Sequence, residues 1–174
     1  MLKNNLKFFA KKKVFTPTQT TKYLYEDIEK NILKKQKIFL ADMGCGNGII
    51  GISLYKNIKN IKNVHFSDIS KDAISLCKKN TKENKINYSN VSFLVSNVFS
   101  KFNKDLKFDL IINDISGISE KVARISPWFK NVPCSSGEDG TDLTMDFLKN
   151  YKKFLNKKGM VFLPIISLCN EKKI

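Results

Sequence analysis

The sequence predicts an α/β protein with a doubly wound, mostly parallel sheet of the Rossmann-like type. Apolar, strand-like runs alternate with helix-like stretches along the chain, which is typical of a parallel sheet with crossover helices. The first apolar run ends at Asp42, passes through a glycine-rich loop at 44–48 and opens into a second apolar segment. In such sheets the ligand binds at the carboxyl ends of the strands. We therefore expect a ligand site at this loop.

Apolar spacing and flanking turn residues predict each element in order. Strands are predicted over 37–42, 63–68, 91–95, 108–112 and 160–166. Helices are predicted over 48–58, 71–84 and 141–156, and a shorter one lies within 118–131. An earlier helix carries Leu24, Ile28 and Ile32 at helical spacing, with Thr20 or Thr21 as its N-cap. Gly159 is predicted to cap the helix over 141–156 at its C-terminus.

The composition predicts one globular domain over 1–174, with 1–14 as a basic N-terminal extension. We expect a frayed helix there, and the alternative is a basic amphipathic segment that contacts a polyanion. The 31 basic and 16 acidic residues give a net charge of +15, and every basic residue but Arg124 is lysine. Such a charge favours a polyanionic partner, whereas scattered lysines without arginine also arise from lysine-rich codon usage. The scatter slightly favours the second interpretation.

The cysteines exclude two kinds of site. Cys45, Cys77, Cys134 and Cys169 form no C-x-x-C pair, and the chain has a single histidine. This spacing predicts neither a zinc site nor a disulfide framework. Reduced thiols in a cytoplasmic protein are the simplest account. No apolar run is long enough to predict a membrane span.

The glycine spacing distinguishes between classes of nucleotide ligand. A dinucleotide-binding loop would need a third glycine at position 49, which is Ile49, so an NAD-dependent oxidoreductase is disfavoured. A second acid, Asp68, ends the predicted second strand 24 residues after Gly44 (68 − 44 = 24). An acid at that position suits two ribose hydroxyls, because a carboxylate offers two acceptors. The alternative role, capping the next helix, is already available to Ser70.

The stretch from Asp42 to Gly48 resembles motif I of the class I S-adenosylmethionine-dependent methyltransferases. Residues 15–20, 97–99 and 136–143 are similar to segments of the release-factor and ribosomal-protein glutamine N-methyltransferases and of the related small-domain methyltransferases. The resemblance implies S-adenosyl-L-methionine as the cofactor and methyl transfer as the reaction. It implies a cofactor site formed by Thr20, Asp42, Gly44, Cys45, Gly46, Asn47, Gly48, Asp68, Ile69, Asn97 and Val98.

Two positions depart from the family pattern. The acid that usually faces adenine is here Asn97, whose amide oxygen still accepts a hydrogen bond. The family's N-P-P-Y tetrapeptide, which holds a planar nitrogen, is here Asn113-Asp114-Ile115-Ser116, so only Asn113 matches. We predict that Asn113 orients the methyl acceptor and that Asp114 accepts a proton from an amine or holds its cation. The alternative for Asp114 is the N-cap of the short helix after Gly117.

The resemblance implies N-methylation of a protein of the translation apparatus, either a ribosomal protein or a release-factor-like substrate. An RNA base methyltransferase and a non-catalytic module that binds cofactor or polyanion are the alternatives. Trp128 and Phe129 are candidates for a substrate wall, or for burial against the sheet. Family members usually add an antiparallel strand pair after the fifth strand, which we expect this chain to lack. Either the given sequence is then part of a longer chain, or a partner such as a second copy covers the exposed edge of the sheet.

Overall fold

The protein is described here from a computed structural model, which covers residues 5–32, 37–129 and 132–174, without the side chain of Trp128. These residues form five strands: β1 (Ile38–Met43), β2 (Ile61–Asp68), β3 (Val91–Val95), β4 (Phe108–Asn113) and β5 (Leu155–Phe162). The α-helices in the same part of the chain are α1 (Gln19–Asn31), α2 (Ile49–Asn57), α3 (Lys71–Glu83), α4 (Glu120–Ile125) and α5 (Asp142–Asn150). The order confirms the predicted alternation of strands and helices.

The five strands make one sheet in the order β3-β2-β1-β4-β5, and each neighbouring pair is parallel. The predicted doubly wound sheet is thereby confirmed. The chain first builds outward from β1 through β2 to β3 and then returns to place β4 on the other side of β1. The strand order thus reverses between β1 and β4, which is where a sheet of this class opens a crevice for its ligand.

The sheet buries a hydrophobic cluster on each face. Successive residues of β1 alternate between the clusters, with Leu40 in one and Ala41 in the other. On β4, Leu110 and Ile112 share a cluster with Leu40, whereas Ile111 packs with Ala41. This alternation follows from the two-residue period of a strand. Both faces of the central strands are therefore buried, and only the ends of these strands are accessible to a ligand.

The last strand begins earlier than the sequence predicts. Helix α5 ends at Asn150, and β5 starts at Leu155 rather than at residue 160. The N–H of Phe108 donates to the carbonyl of Phe154 at 2.8 Å, and Phe108 pairs with Leu155, so contact with β4 extends the strand backwards. Gly159 therefore lies inside β5, without the positive φ of a helix cap, and the predicted cap is wrong.

The N-terminal segment also differs from its prediction. Within residues 5–18 the chain forms no helix, so the expected frayed helix is wrong there; residues 1–4 lie outside the described part. Helix α1 has Thr18 as its N-cap, rather than Thr20 or Thr21. The N–H of Thr18 instead donates to the hydroxyl of Thr21 at 3.2 Å. Among the described residues, no helix has the length and apolarity that a membrane span requires.

Candidate active site

A cavity of about 1000 Å³ opens at the carboxyl ends of the strands, at the upper end of the size range for small-molecule sites. Eleven of the thirteen residues predicted for the site line it; Asn113 and Gly48 do not. We call the part around the glycine loop 44–48, Asp42, Asp68 and Asn97 the cofactor end. We call the part around Asp114–Gly117, Phe129 and residues 132–134 the acceptor end.

The glycine loop needs glycine for two different reasons. Gly44, Gly46 and Gly48 all have positive φ, of 72°, 53° and 81°, which side chains rarely adopt. A Cβ at Gly44 would also lie 2.7 Å from the carbonyl oxygen of Asp114, so the two ends of the cavity touch there. At Gly46, by contrast, a Cβ would meet nothing within 4 Å. The backbone of Gly46 is therefore open to a ligand.

Asp42 positions the helix that follows the loop. It is 1% exposed, and its Oδ2 accepts the N–H of Gly51 in the first turn of α2 at 3.0 Å. A Cβ at Gly51 would lie 2.7 Å from that oxygen, so glycine permits the close approach. Within the described residues the other oxygen, Oδ1, has no hydrogen-bond partner. Burial, reinforced by Asp114 and Asp68, raises the pKa of Asp42 to about 7.

Asp68 ties the glycine loop to the end of β2. Its Oδ2 accepts the N–H of Gly46 at 3.0 Å, and its Oδ1 accepts the N–H of Ser70 at 2.8 Å. Burial raises the pKa of Asp68, while these N–H donors oppose the rise. The Ser70 hydroxyl accepts from Ala73 at 3.3 Å and caps α3, as predicted. Asp68 is thus free of the capping role and lines the cavity.

The side of the cofactor end beyond Asp68 is formed by Ile69, Asn97 and Val98. Ile69 is 52% exposed, although it is a large apolar residue. Val98 is buried and has a φ of 44°, which is unusual for a β-branched residue. The Ser96 hydroxyl donates to the Val98 carbonyl at 3.0 Å and helps to hold that conformation. An apolar side chain facing a cavity beside a strained turn is typical of a ligand contact.

At the acceptor end, the N–H of Asp114 donates to the carbonyl of Met43 at 2.9 Å, which places the backbone of Asp114 beside the glycine loop. Burial raises the pKa of Asp114 to about 7. Helix α4 begins at Glu120 with Ser119 as its N-cap, so the alternative role of Asp114 as a cap is wrong. Asn113 is 1% exposed, and its Oδ1 lacks a partner among the described residues.

Segments far apart in sequence close the cavity and were not predicted as parts of the site. Residues 12–14 and 164–168 contribute to the lining, and Leu168 accepts a backbone hydrogen bond from Ser119 at 3.1 Å. Phe15 stacks on Phe129 with the ring centres 5.9 Å apart. Phe129 lines the cavity as one of the two predicted wall residues, and the side chain of Trp128 lies outside the described part. These segments carry no loop motif or periodicity that would have identified them.

No group of three or more His, Cys, Asp or Glu side chains in residues 5–32, 37–129 and 132–174 is placed to hold a metal ion. Among the described residues, the acidic residues that line the cavity are Asp42, Asp68 and Asp114. Asp42, whose Oδ1 has no partner in the described residues, and Gly46, with its open backbone, both line it. These features suit an organic ligand that carries positive charge and hydrogen-bond donors.

Comparison with known proteins places this site in a family. The chain is 26% identical over 171 residues to the release factor glutamine methyltransferase of Thermodesulfovibrio yellowstonii, covering 92% of this chain and 59% of that protein. It is 28% identical over 144 residues to a putative protein N5-glutamine methyltransferase of Methanocaldococcus jannaschii, covering 83% of this chain and 70% of that one.

A solved structure supports the fold. The ribosomal protein L11 methylase of Lactobacillus delbrueckii subsp. bulgaricus superposes with a TM-score of 0.61 at 23% identity, over 85% of this chain and 60% of that one. Residues 3–114, well over half of the chain, match the family model described as methyltransferase small domain. The match includes the glycine loop, Asp68, Asn113 and Asp114. The chain therefore belongs to the methyltransferase small domain family.

Proposed function

We propose that this chain transfers a methyl group from S-adenosyl-L-methionine to a nitrogen atom of a protein substrate. The observation that carries the proposal is that the cofactor end and the acceptor end lie in the same cavity. The open loop backbone and Asp68 line the cofactor end, and Asp114, whose backbone carbonyl lies beside Gly44, lines the acceptor end. Reactants held side by side in this way gain about 7–11 kcal/mol of barrier lowering from positioning alone.

The cofactor end fits S-adenosyl-L-methionine in shape and charge. This cofactor is cationic at its sulfonium and amino groups, and the acidic residues Asp42, Asp68 and Asp114 line the cavity. Asp68 would accept the ribose hydroxyls through the lone pairs that Gly46 and Ser70 leave unused. Ile69 and Val98 would pack against the adenine, and Asn97 would accept from its amino group. When bound, the cofactor supplies an electrophilic methyl group.

The acceptor end holds a group that can take a proton. A neutral amine would attack the methyl carbon through its lone pair; as the new N–C bond forms, the bond from that carbon to sulfur breaks, its electron pair stays on sulfur, and an N–H proton leaves the nitrogen. Asp114 would accept that proton, because a carboxyl group with a pKa of about 7 is half-ionised near neutral pH. Asn113 would orient the acceptor through its amide oxygen, which lacks a partner in the described residues. Since Asn113 does not line the cavity, Asp114 is the main candidate for the catalytic residue.

The substrate class is proposed from the relatives and from the acceptor end together. The relatives compared above are named as methyltransferases of release-factor glutamine and of ribosomal protein L11. The cavity wall at the acceptor end includes the apolar residues Ile115, Phe129 and Pro133. A protein side chain reaching into the cavity would have its aliphatic part covered there. We therefore favour a nitrogen on a protein of the translation apparatus.

Incubation of the protein with S-adenosyl-L-methionine that carries a tritiated methyl group and a cell extract tests the proposal. We expect the label in material that protease degrades and ribonuclease leaves intact. Label in ribonuclease-sensitive material would show an RNA methyltransferase instead. Binding of S-adenosylhomocysteine in a calorimeter without any transfer would show a cofactor-binding module, and absence of binding would remove the proposal altogether.

A further inference from the structure

Residues 5–18, which we call the N-terminal strap, run along α3 and then over the cavity. The strap contains no helix or strand, but side-chain contacts hold it against α3. Val14 is buried against Ala73 and Leu76 of α3. The Lys79 amino group lies 3.7 Å from the centre of the Phe9 ring, a cation–π contact. The strap is therefore packed on the helix and is not a loose tail.

Two asparagines of α3 pair with the strap backbone as a neighbouring strand would. The carboxamide of Asn84 accepts the N–H of Lys7 at 3.0 Å and donates to its carbonyl at 2.8 Å. The carboxamide of Asn80 accepts the N–H of Phe9 at 2.8 Å and donates to its carbonyl at 3.3 Å. Alternate residues of an extended chain are about 7 Å apart, close to the rise of about 6 Å over four helical residues, so the spacings match.

Asn80 makes one further contact that Asn84 does not make. Its amide nitrogen also donates to the carbonyl of Asn47 at 2.8 Å. Asn47 lies in the glycine loop directly after Gly46, whose N–H is held by Asp68. Asn80 is 0% exposed and Asn47 is 5% exposed, so the Asn47 carbonyl depends on this donor in a dry environment. A single side chain thus joins the strap to the cofactor loop.

Beyond this contact, the strap continues over the reaction site. Residues 12–18 line the cavity, and Thr20 follows at the start of α1. Phe15 stacks on Phe129, which belongs to the acceptor end. One end of the strap is thus fixed on α3 beside the cofactor loop, and the other reaches the acceptor side. A shift of the cofactor loop would be transmitted to the strap through Asn80.

We propose that Asn80 is a positioning residue of the methyl-transfer site: its carboxamide couples the N-terminal strap to the cofactor loop, so that cofactor binding and ordering of the strap support each other. This inference rests on the proposed function for the identity of the ligand. The coupling itself is a property of the contacts among Asn80, Phe9 and Asn47. Because linkage is reciprocal, the ligand should protect the strap as much as the strap supports the ligand.

The test compares Asn80→Asp with Asn84→Asp. Each substitution keeps a side-chain oxygen that accepts from the strap and removes the amide donor, on buried residues one helical turn apart. Only Asn80→Asp removes a contact with the cofactor loop. We expect it to weaken binding of S-adenosylhomocysteine about tenfold or more, because a buried carbonyl loses its donor. Asn84→Asp should change that affinity less than threefold, even where both variants lose thermal stability equally.

Trypsin supplies a second measurement, since Lys12 and Lys13 are exposed on the strap. We expect S-adenosylhomocysteine to slow cleavage after these lysines in the wild type and in Asn84→Asp, but not in Asn80→Asp. Cleavage after Lys104, an exposed residue before β4, serves as the internal reference. Equal loss of affinity in both variants, in proportion to their loss of stability, would overturn the proposal, and so would ligand protection that persists in Asn80→Asp.

A variant on the strap covers the case in which Asn80→Asp does not fold. Phe9→Pro removes the N–H that Asn80 accepts, at a residue that is 39% exposed, and leaves Asn47 with its donor. It should abolish ligand protection of the strap, and wild-type protection in this variant would also overturn the proposal.

If the wild type binds no S-adenosylhomocysteine, the proposed function fails. In that case trypsin cleavage of the strap is compared without ligand. Faster cleavage of Asn80→Asp than of the wild type would still support the contact between Asn80 and the strap, and equal cleavage would overturn it.

Discussion

The two ends of the cavity are built in different ways. At the cofactor end, the side chains of the buried Asp42 and the half-buried Asp68 fix the backbone, each through a hydrogen bond of 3.0 Å to a helix or loop N–H. At the acceptor end, the loop after β4 meets Phe129 and residues 132–134, and Phe15 of the strap stacks on Phe129. The cofactor end is thus held by the hydrogen bonds of these two side chains, whereas the acceptor end depends on packing between segments that are distant in sequence. Binding and substrate choice are therefore separable by mutation.

The largest effect is expected at the acceptor end, from Asp114→Asn. The variant keeps the size of the side chain but removes the proton acceptor, so the rate of transfer should fall about 10²-fold or more. Because burial raises the Asp114 pKa to about 7, the wild-type rate should rise with pH through about 7 as the carboxyl group ionises, and then level off.

Rates measured from pH 5.5 to 9, with S-adenosylhomocysteine affinity determined in parallel, check this expectation. Asp105→Asn, at an exposed carboxyl group before β4, is the control and should match the wild type. A profile for Asp114→Asn that rises through pH 7 like that of the wild type would exclude Asp114 as the proton acceptor.

Gly44→Ala tests the point where the two ends touch. The new Cβ would lie 2.7 Å from the Asp114 carbonyl oxygen, at a residue whose φ is 72°. Strain of the left-handed conformation and overpacking together should lower the free energy of unfolding by about 3 kcal/mol. Gly46→Ala is the matched control, because it carries the same kind of strain without the clash and should cost about 1 kcal/mol. Urea denaturation measures both, and equal losses would refute the close contact.

Asp68→Ala tests the cofactor end alone. The substitution removes the acceptor proposed for the ribose and also releases the N–H of Gly46, so binding of S-adenosylhomocysteine should weaken by about 1–3 kcal/mol. Calorimetry measures the affinity. Asp105→Ala is the control, because this exposed carboxylate lies before β4 and does not line the cavity. Unchanged affinity in Asp68→Ala would remove Asp68 from the site.

The smallest effect is expected from Phe15→Ala. Loss of the stack on Phe129 should lower stability by about 0.5–1.5 kcal/mol and raise the KM for the acceptor a few-fold. Affinity for S-adenosylhomocysteine should stay within twofold of the wild type, since Phe15 contacts the acceptor end. Tyr23→Ala, at a residue 61% exposed on α1, is the control. A change in cofactor affinity without a change in KM would show that the two ends are not separable in this way.

Local sequence determined the sheet, the glycine loop and the place of Asp68, because strand periodicity, glycine conformation and helix capping act over a few neighbouring residues. Ser70 was correctly predicted as the cap of α3 for the same reason. The start of β5 was predicted wrongly, because pairing of Phe108 with Leu155 is a contact between distant segments. For the same reason no local pattern marked the burial of the Asn113 side chain.

Only the tertiary structure decided which segments surround the glycine loop. The strap was predicted as a frayed helix, and its extended course is set by Asn80 and Asn84, which lie more than 70 positions away in sequence. The segment over 164–168 reaches the cavity through contacts such as that of Leu168 with Ser119. Such contacts gain their free energy from burial and hydrogen bonds between distant parts of the chain, which no local pattern encodes.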